Sequence, residues 1–219
     1  MKRYRYLTFD CYGTLVDWKS GIEASLGAAL GPAVRVEGGL LAAYLRAEKE
    51  EETTYKKYRE VLRRAAIKVA LSAGTEVDPR KADAFAASVP DWPAFADTKS
   101  SLAELSAKGY RLYILSNVDR DLLEGTIRSA GLVVDGFVTA EDTLSYKPAH
   151  GHWMTFMKRT GATPEEVLHV AQSVFHDIVP TQEIGIASAW VNRYGDRLPP
   201  EASPLYIADS LDGLSGLLP

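Results

Sequence analysis

Five short apolar runs recur along the chain, each closed by small or polar residues: "YRYLTFD", "YRLYILSN", "GFVTA", "VLHVAQS" and "SAWVNR". Their β-branched and aromatic content predicts strands, and the helical stretches between them predict a parallel sheet covered by helices. The punctuation agrees. Thr98 can cap "KSSLAELSAK" before Gly109 stops it, and Asp119 can cap "RDLLEGTIRSA" before Gly131. From about Trp18 to Pro93 the alternation fails. No convincing strand is present there, and "YKKYREVLRRAAIKVAL" sets Tyr55, Tyr58, Leu62, Ala65 and Val69 on one helical face. Pro90 and Pro93 in "VPDWPAF" mark the return. The expected organisation is therefore an α/β core from residues 1–17 and 94–219, interrupted by a helical insertion at 18–93.

A chain of 219 residues suits one domain with such an insertion. With 46% hydrophobic and 25% charged residues and a formal net charge of -4, it has the make-up of a globular protein without a basic surface for nucleic acid. The charged start and the lack of a long apolar run predict no signal peptide and no membrane span. One cysteine, Cys11, excludes an internal disulfide, so a cytoplasmic location is expected.

In an open parallel sheet, ligands gather at the carboxyl ends of the strands. Reading the residues that follow each predicted strand collects Asp10, Ser116 with Asn117, Lys147 and Asp177. A carboxylate, a hydroxyl, an ammonium and a further carboxylate are the parts that covalent carboxylate catalysis needs. Two positions past Asp10 stands Tyr12, not a second acid. Cys11 reads as a small packing residue, and His150, His152 and His169 as structural or exposed, without the spacing of a zinc site.

The ordered segments "FDCYGTLVD", "ILSN", "YKP" and "AQSVFHD" resemble the haloacid dehalogenase superfamily over nearly the whole chain. That resemblance implies a Rossmann-like parallel sheet flanked by helices, with residues 18–93 as an inserted α-helical cap. Most of the superfamily resembles magnesium-dependent phosphatases, with an acid where Tyr12 stands and a magnesium-binding aspartate where Gln172 stands. Tyrosine at this position is similar to the 2-haloacid dehalogenase branch, which implies halide removal through an aspartyl ester to give a 2-hydroxy acid. No cofactor or metal is then expected.

By the same resemblance Asp10 is the nucleophile, Thr14 braces its loop, Lys147 keeps it ionised, and Asp177 orients or activates water with help from His176. Ser116 and the turn amides at Cys11 and Tyr12 would hold the substrate carboxylate. Arg46 on the insertion, aided by Asn117, would contact halide or carboxylate, and Trp153 and Ser173 complete the expected substrate contacts. Val174, Trp153 and Gln172 depart from the branch pattern. The expected partners are a small 2-haloacid and, at most, a second copy of the chain. Two rival readings stay open: a phosphatase with an atypical metal site, and a binding module without turnover.

Overall fold

The computed structural model describes residues 4–32 and 34–219. Six parallel strands form one sheet: β1 (Tyr6–Phe9), β2 (Arg111–Ser116), β3 (Gly136–Thr139), β4 (Val167–Ala171), β5 (Ala187–Val191) and β6 (Tyr206–Ala208). Their spatial order is β3-β2-β1-β4-β5-β6. β1 and β4 are buried at every position, as a sheet covered on both faces requires. The two polar exceptions, Thr8 and His169, are register partners on these neighbouring strands and point to the same face. Five strands fall on the five apolar runs. The sixth, "YIA", is three residues long and only half covered, too short to leave a pattern.

Between β1 and β2 come α1 (Trp18–Leu30), α2 (Leu40–Glu51), α3 (Tyr58–Ser72) and α4 (Pro79–Ala87), a 3-10 turn at Val89–Asp91, and α5 (Thr98–Ala107). The remaining α-helices are α6 (Arg120–Ala130), α7 (Ala140–Thr143), α8 (Gly151–Thr160), α9 (Val179–Glu183) and α10 (Leu211–Leu217), with a 3-10 turn at Pro164–Glu166 and a π-turn at Val174–Ile178 that carries His176 and Asp177. Among the described residues, none of these is long and apolar enough to cross a membrane. One hydrophobic cluster runs from the sheet (Leu7, Phe9, Ile114) into the inserted helices (Leu26, Tyr44, Leu62, Phe85). Each such side chain contributes about 1.5–3 kcal/mol by leaving water. Tyr6, Leu115 and Val138, of opposite parity, build a second cluster with Trp153 and Phe156 on the other face.

The two ends of the insertion are stitched together. The Asp17 amide donates to the Pro93 carbonyl at 2.8 Å, the Phe95 amide donates to the Leu15 carbonyl at 3.0 Å, and Val16 bridges Ala94. Thr98 opens α5, but its hydroxyl donates to the Leu15 carbonyl at 2.7 Å, and the cap position is Asp97. Tyr55 precedes α3, which starts at Tyr58, so it does not share that helix's buried face. Asp119 sits at the N-cap of α6 but does not cap it with its side chain. Its two oxygens instead accept from the Tyr58 and Arg59 amides at 2.8 and 2.9 Å, capping α3 from the far side of the chain.

Candidate active site

Sequence order reverses on either side of β1, so the crevice at its carboxyl end is the switch point of the sheet. Asp10 is the first residue beyond β1. The turn that follows requires glycine: Gly13 has φ +105°, and a Cβ there would stand 3.0 Å from Trp18 Nε1. The Cys11 carbonyl anchors this turn by accepting the amides of Thr14, Leu15 and Val16. Its thiol is buried and its pKa pushed well up, first by burial and then by the charge of Asp10. The Cys11 side chain is thus core, not substrate contact.

Around Asp10 the polar groups form a continuous buried chain. Lys147 Nζ donates to Asp10 Oδ1 at 2.8 Å, to Asp177 Oδ1 at 2.6 Å and to the Leu115 carbonyl at 2.9 Å. Thr14 Oγ1 donates to Asp10 Oδ2 at 2.9 Å and accepts the Gln172 amide at 2.9 Å. On the far side, His169 Nε2 donates to Asp177 Oδ1 at 2.9 Å, and its Nδ1 meets Thr8 Oγ1 at 2.8 Å. One ammonium therefore serves two carboxylates. Burial opposes the charge of Lys147, yet the two aspartates raise its pKa. Burial opposes that of Asp177 as well, but Lys147 and His169 hold it well below the usual carboxylate range. Asp10 goes the other way: burial pushes its carboxyl up, and Asp177 adds to the rise while Lys147 opposes it.

Asp10, Lys147 and Asp177 line a cavity of about 270 Å³ together with Tyr12, Ser116, Asn117, Ser173 and His176. Ser116 Oγ is buried there without a hydrogen-bond partner among the described residues. Asn117 clamps the Lys147 backbone, accepting its amide at 2.7 Å and donating to its carbonyl at 3.1 Å. The Tyr12 hydroxyl is paired with Thr126 Oγ1 at 2.8 Å, and burial raises its pKa well above the ordinary phenol value, so it stays neutral. Ser173 Oγ accepts the His176 amide and lies 3.1 Å from His176 Nδ1. Burial lowers the His176 pKa and keeps the ring neutral at pH 7.

Two expected contacts are not brought to this cavity. Arg46 points away: its guanidinium donates to the Glu37 carbonyl at 3.3 Å, in a separate depression beside Lys68 and Glu50. Trp153 is fully buried, its ring edge-on to His169 at 5.3 Å, and so it supports that imidazole instead of touching substrate. Arg46→Ala is therefore expected to leave KM and kcat of the enzyme within about twofold, as for an exposed surface substitution; steady-state kinetics checks this. Two contributors escaped the sequence reading. His169, taken as structural or exposed, is the partner of Asp177; its signal was a lone imidazole in an otherwise apolar strand opposite Thr8. Arg193, two residues past β5, donates through Nε and Nη2 to the Thr14 carbonyl at 3.0 and 2.8 Å and is held by Asp97.

Fold and site together define an α/β enzyme whose polar centre lies at the strand-order reversal, with a buried aspartate–lysine–aspartate group at its base. The chain belongs to the haloacid dehalogenase-like hydrolase family, whose model matches residues 4–178. It is 31% identical to haloacid dehalogenase-like hydrolase domain-containing protein 3 of Danio rerio over 131 residues, 58% of this chain and 54% of that one. An (S)-2-haloacid dehalogenase of Pseudomonas putida is 26% identical over 100% of this chain and 98% of its own. The fold is shared with the L-2-haloacid dehalogenase of Xanthobacter autotrophicus bearing covalently bound chloropropionic acid. There the TM-score is 0.86 at 22% identity, covering 98% of each chain.

Proposed function

We propose that the protein hydrolyses the carbon–halogen bond of short 2-haloalkanoic acids through an ester on Asp10. One observation carries the reading: Asp10 opens into the cavity beside a neutral Tyr12, with Lys147 bridging it to Asp177. A departing halide needs no proton, so a phenol can stand where a phosphate ester would need an acid. An Asp10 oxygen attacks C2, forming a C–O bond as the C–halogen pair leaves with the halide. Water then adds to the ester carbonyl and releases the 2-hydroxy acid, restoring the Asp10 carboxylate. Ser116 Oγ, buried and unpartnered, offers a donor to the substrate carboxylate. Asp177, held so far toward its ionised form, orients the water, and the neutral His176 ring is the base within the same cavity. The inserted segment, which walls the cavity with Leu45, Tyr58 and Trp92, acts in this reading as a cap.

The residues do not suit a magnesium ion. A hard dication needs several oxygen ligands carrying enough charge. Here an ammonium bridges the two aspartates, and Gln172, whose side chain donates to Asp196, occupies the third place. Halide release from 2-chloropropionate should persist in excess chelator, while phosphate esters are hydrolysed poorly. Loss of activity that magnesium restores would transfer the reading to a phosphatase. Only ionised Asp10 attacks, and burial raises its pKa, so the acid limb of kcat/KM should lie above the ordinary carboxylate range. A pH–rate profile for halide release measures it.

A further inference from the structure

The wall that the inserted helices give to the cavity is acidic. Glu48 on α2 and Glu52, one turn further on, both line it beside Leu45 and Tyr58. Like charges at this spacing repel. Glu48 Oε1 accepts from the Tyr44 and Tyr58 hydroxyls at 2.7 and 2.5 Å. Its second oxygen and the whole Glu52 carboxylate have no hydrogen-bond partner among the described residues. The neighbouring cations are committed elsewhere: Lys56 to Glu51, Lys147 to Asp10 and Asp177, and Arg46 to the Glu37 carbonyl. At the core end of the same cavity stands the buried, unpartnered Ser116 Oγ. One small chamber thus offers a donor for an anion at one end and, at the other, two closely spaced carboxyl groups with no ion-pair partner among the described residues.

We infer that the cavity selects a zwitterion: a 2-halo acid whose carboxylate is held at Ser116 and whose far end carries an ammonium seated against Glu48 and Glu52. This rests on the dehalogenase reading for the reacting carbon and adds the substrate class to it. Burial, then the charge of Glu48, pushes the Glu52 carboxyl up to about 8, with Lys56 offsetting part of the rise. Burial raises Glu48 too. A cation between them relieves the penalty of holding two carboxylates in a half-closed site. An acid with a purely alkyl tail leaves it in place.

The test compares isosteric substrates at two lengths: 4-amino-2-chlorobutanoate with 2-chloropentanoate, and 6-amino-2-chlorohexanoate with 2-chloroheptanoate. At one length or both, the amino acid of the pair should show kcat/KM higher by about tenfold or more, the low end for a close charge pair in a desolvated site. In the E48Q/E52Q double variant the preference should vanish. Equal or reversed preference in the wild type at both lengths, or a preference that survives the double substitution, overturns the inference. A binding arm is independent of turnover: calorimetric titration with unreactive 4-aminobutanoate beside pentanoate and 6-aminohexanoate beside heptanoate. Tighter binding of the amine to the wild type, lost in E48Q/E52Q, upholds the zwitterion site even if no haloacid releases halide. In that case the dehalogenase reading alone fails. Equal binding within both pairs sinks the zwitterion site whatever the outcome with haloacids.

Discussion

Asp10→Asn should lower halide release by at least about ten-thousand-fold, the scale seen when a nucleophile is removed from an otherwise complete site. The fold should survive, since an amide of the same shape can still accept from Lys147 through its oxygen, while its nitrogen donates to Thr14 Oγ1 in place of the bond that Asp10 accepts there. Its melting temperature should be unchanged or higher. A carboxyl whose native pKa lies above its unfolded value destabilises the protein at pH above both, and the neutral amide removes that cost. The covalent route has its own signature. With enzyme in excess, a single turnover in heavy-oxygen water should give product whose new hydroxyl carries light oxygen from Asp10. Heavy oxygen in that hydroxyl would mean direct attack by water.

The second large effect belongs to Lys147. Lys147→Met keeps length and apolar packing but leaves Asp10 and Asp177 buried without their shared cation. Breaking a buried pair by removing one partner costs about 3–5 kcal/mol. For a chain of this size each kcal/mol lowers the melting temperature by roughly 2–4 °C. The pH dependence fixes the cause. In the wild type the depressed pKa of Asp177 contributes stability that is full above its unfolded value and lost only as pH falls through its very low native value. In the variant the part of that contribution due to Lys147 is absent at neutral pH while His169 keeps the rest, so the stability gap should narrow on acidification, as both proteins approach protonated carboxylates. Activity should fall by about a hundred- to a thousandfold, as when one preorganised electrostatic group is removed. Thermal melts at several pH values and single-turnover rates read the two effects separately.

Much of this site was legible because each part follows a strand with a strong apolar signature. Asp10, Ser116, Lys147 and Asp177 could be gathered from strand ends alone, since a parallel sheet brings those ends together. What stayed hidden depended on distance along the chain or on which way a helix turns. Asp119 looks like the cap of the helix it precedes, and nothing local shows that α3, sixty residues earlier, takes its oxygens instead. Arg46 and Glu48 sit two positions apart on α2, so a charged helix face could not tell which of them meets the cavity. The face that does is the acidic one, against the usual apolar-inward pattern. His169 was obscured for a related reason: in a buried strand one imidazole reads as filler until the register with Thr8 is known.

The chain departs from the sheet and rejoins it through adjoining residues, with Leu15 and Asp17 bonded to Phe95 and Pro93. Topologically, everything between them is an elaborate loop with a narrow neck. Necks of this kind are where whole modules are tolerated as insertions. The aspartates and the lysine lie outside that neck, while Glu48, Glu52 and Tyr58 lie within it. On the function proposed above, a different set of helices grafted at the same two residues would therefore inherit the bond-breaking groups intact and bring its own preference for what is broken, making chemistry and appetite separately heritable in this architecture.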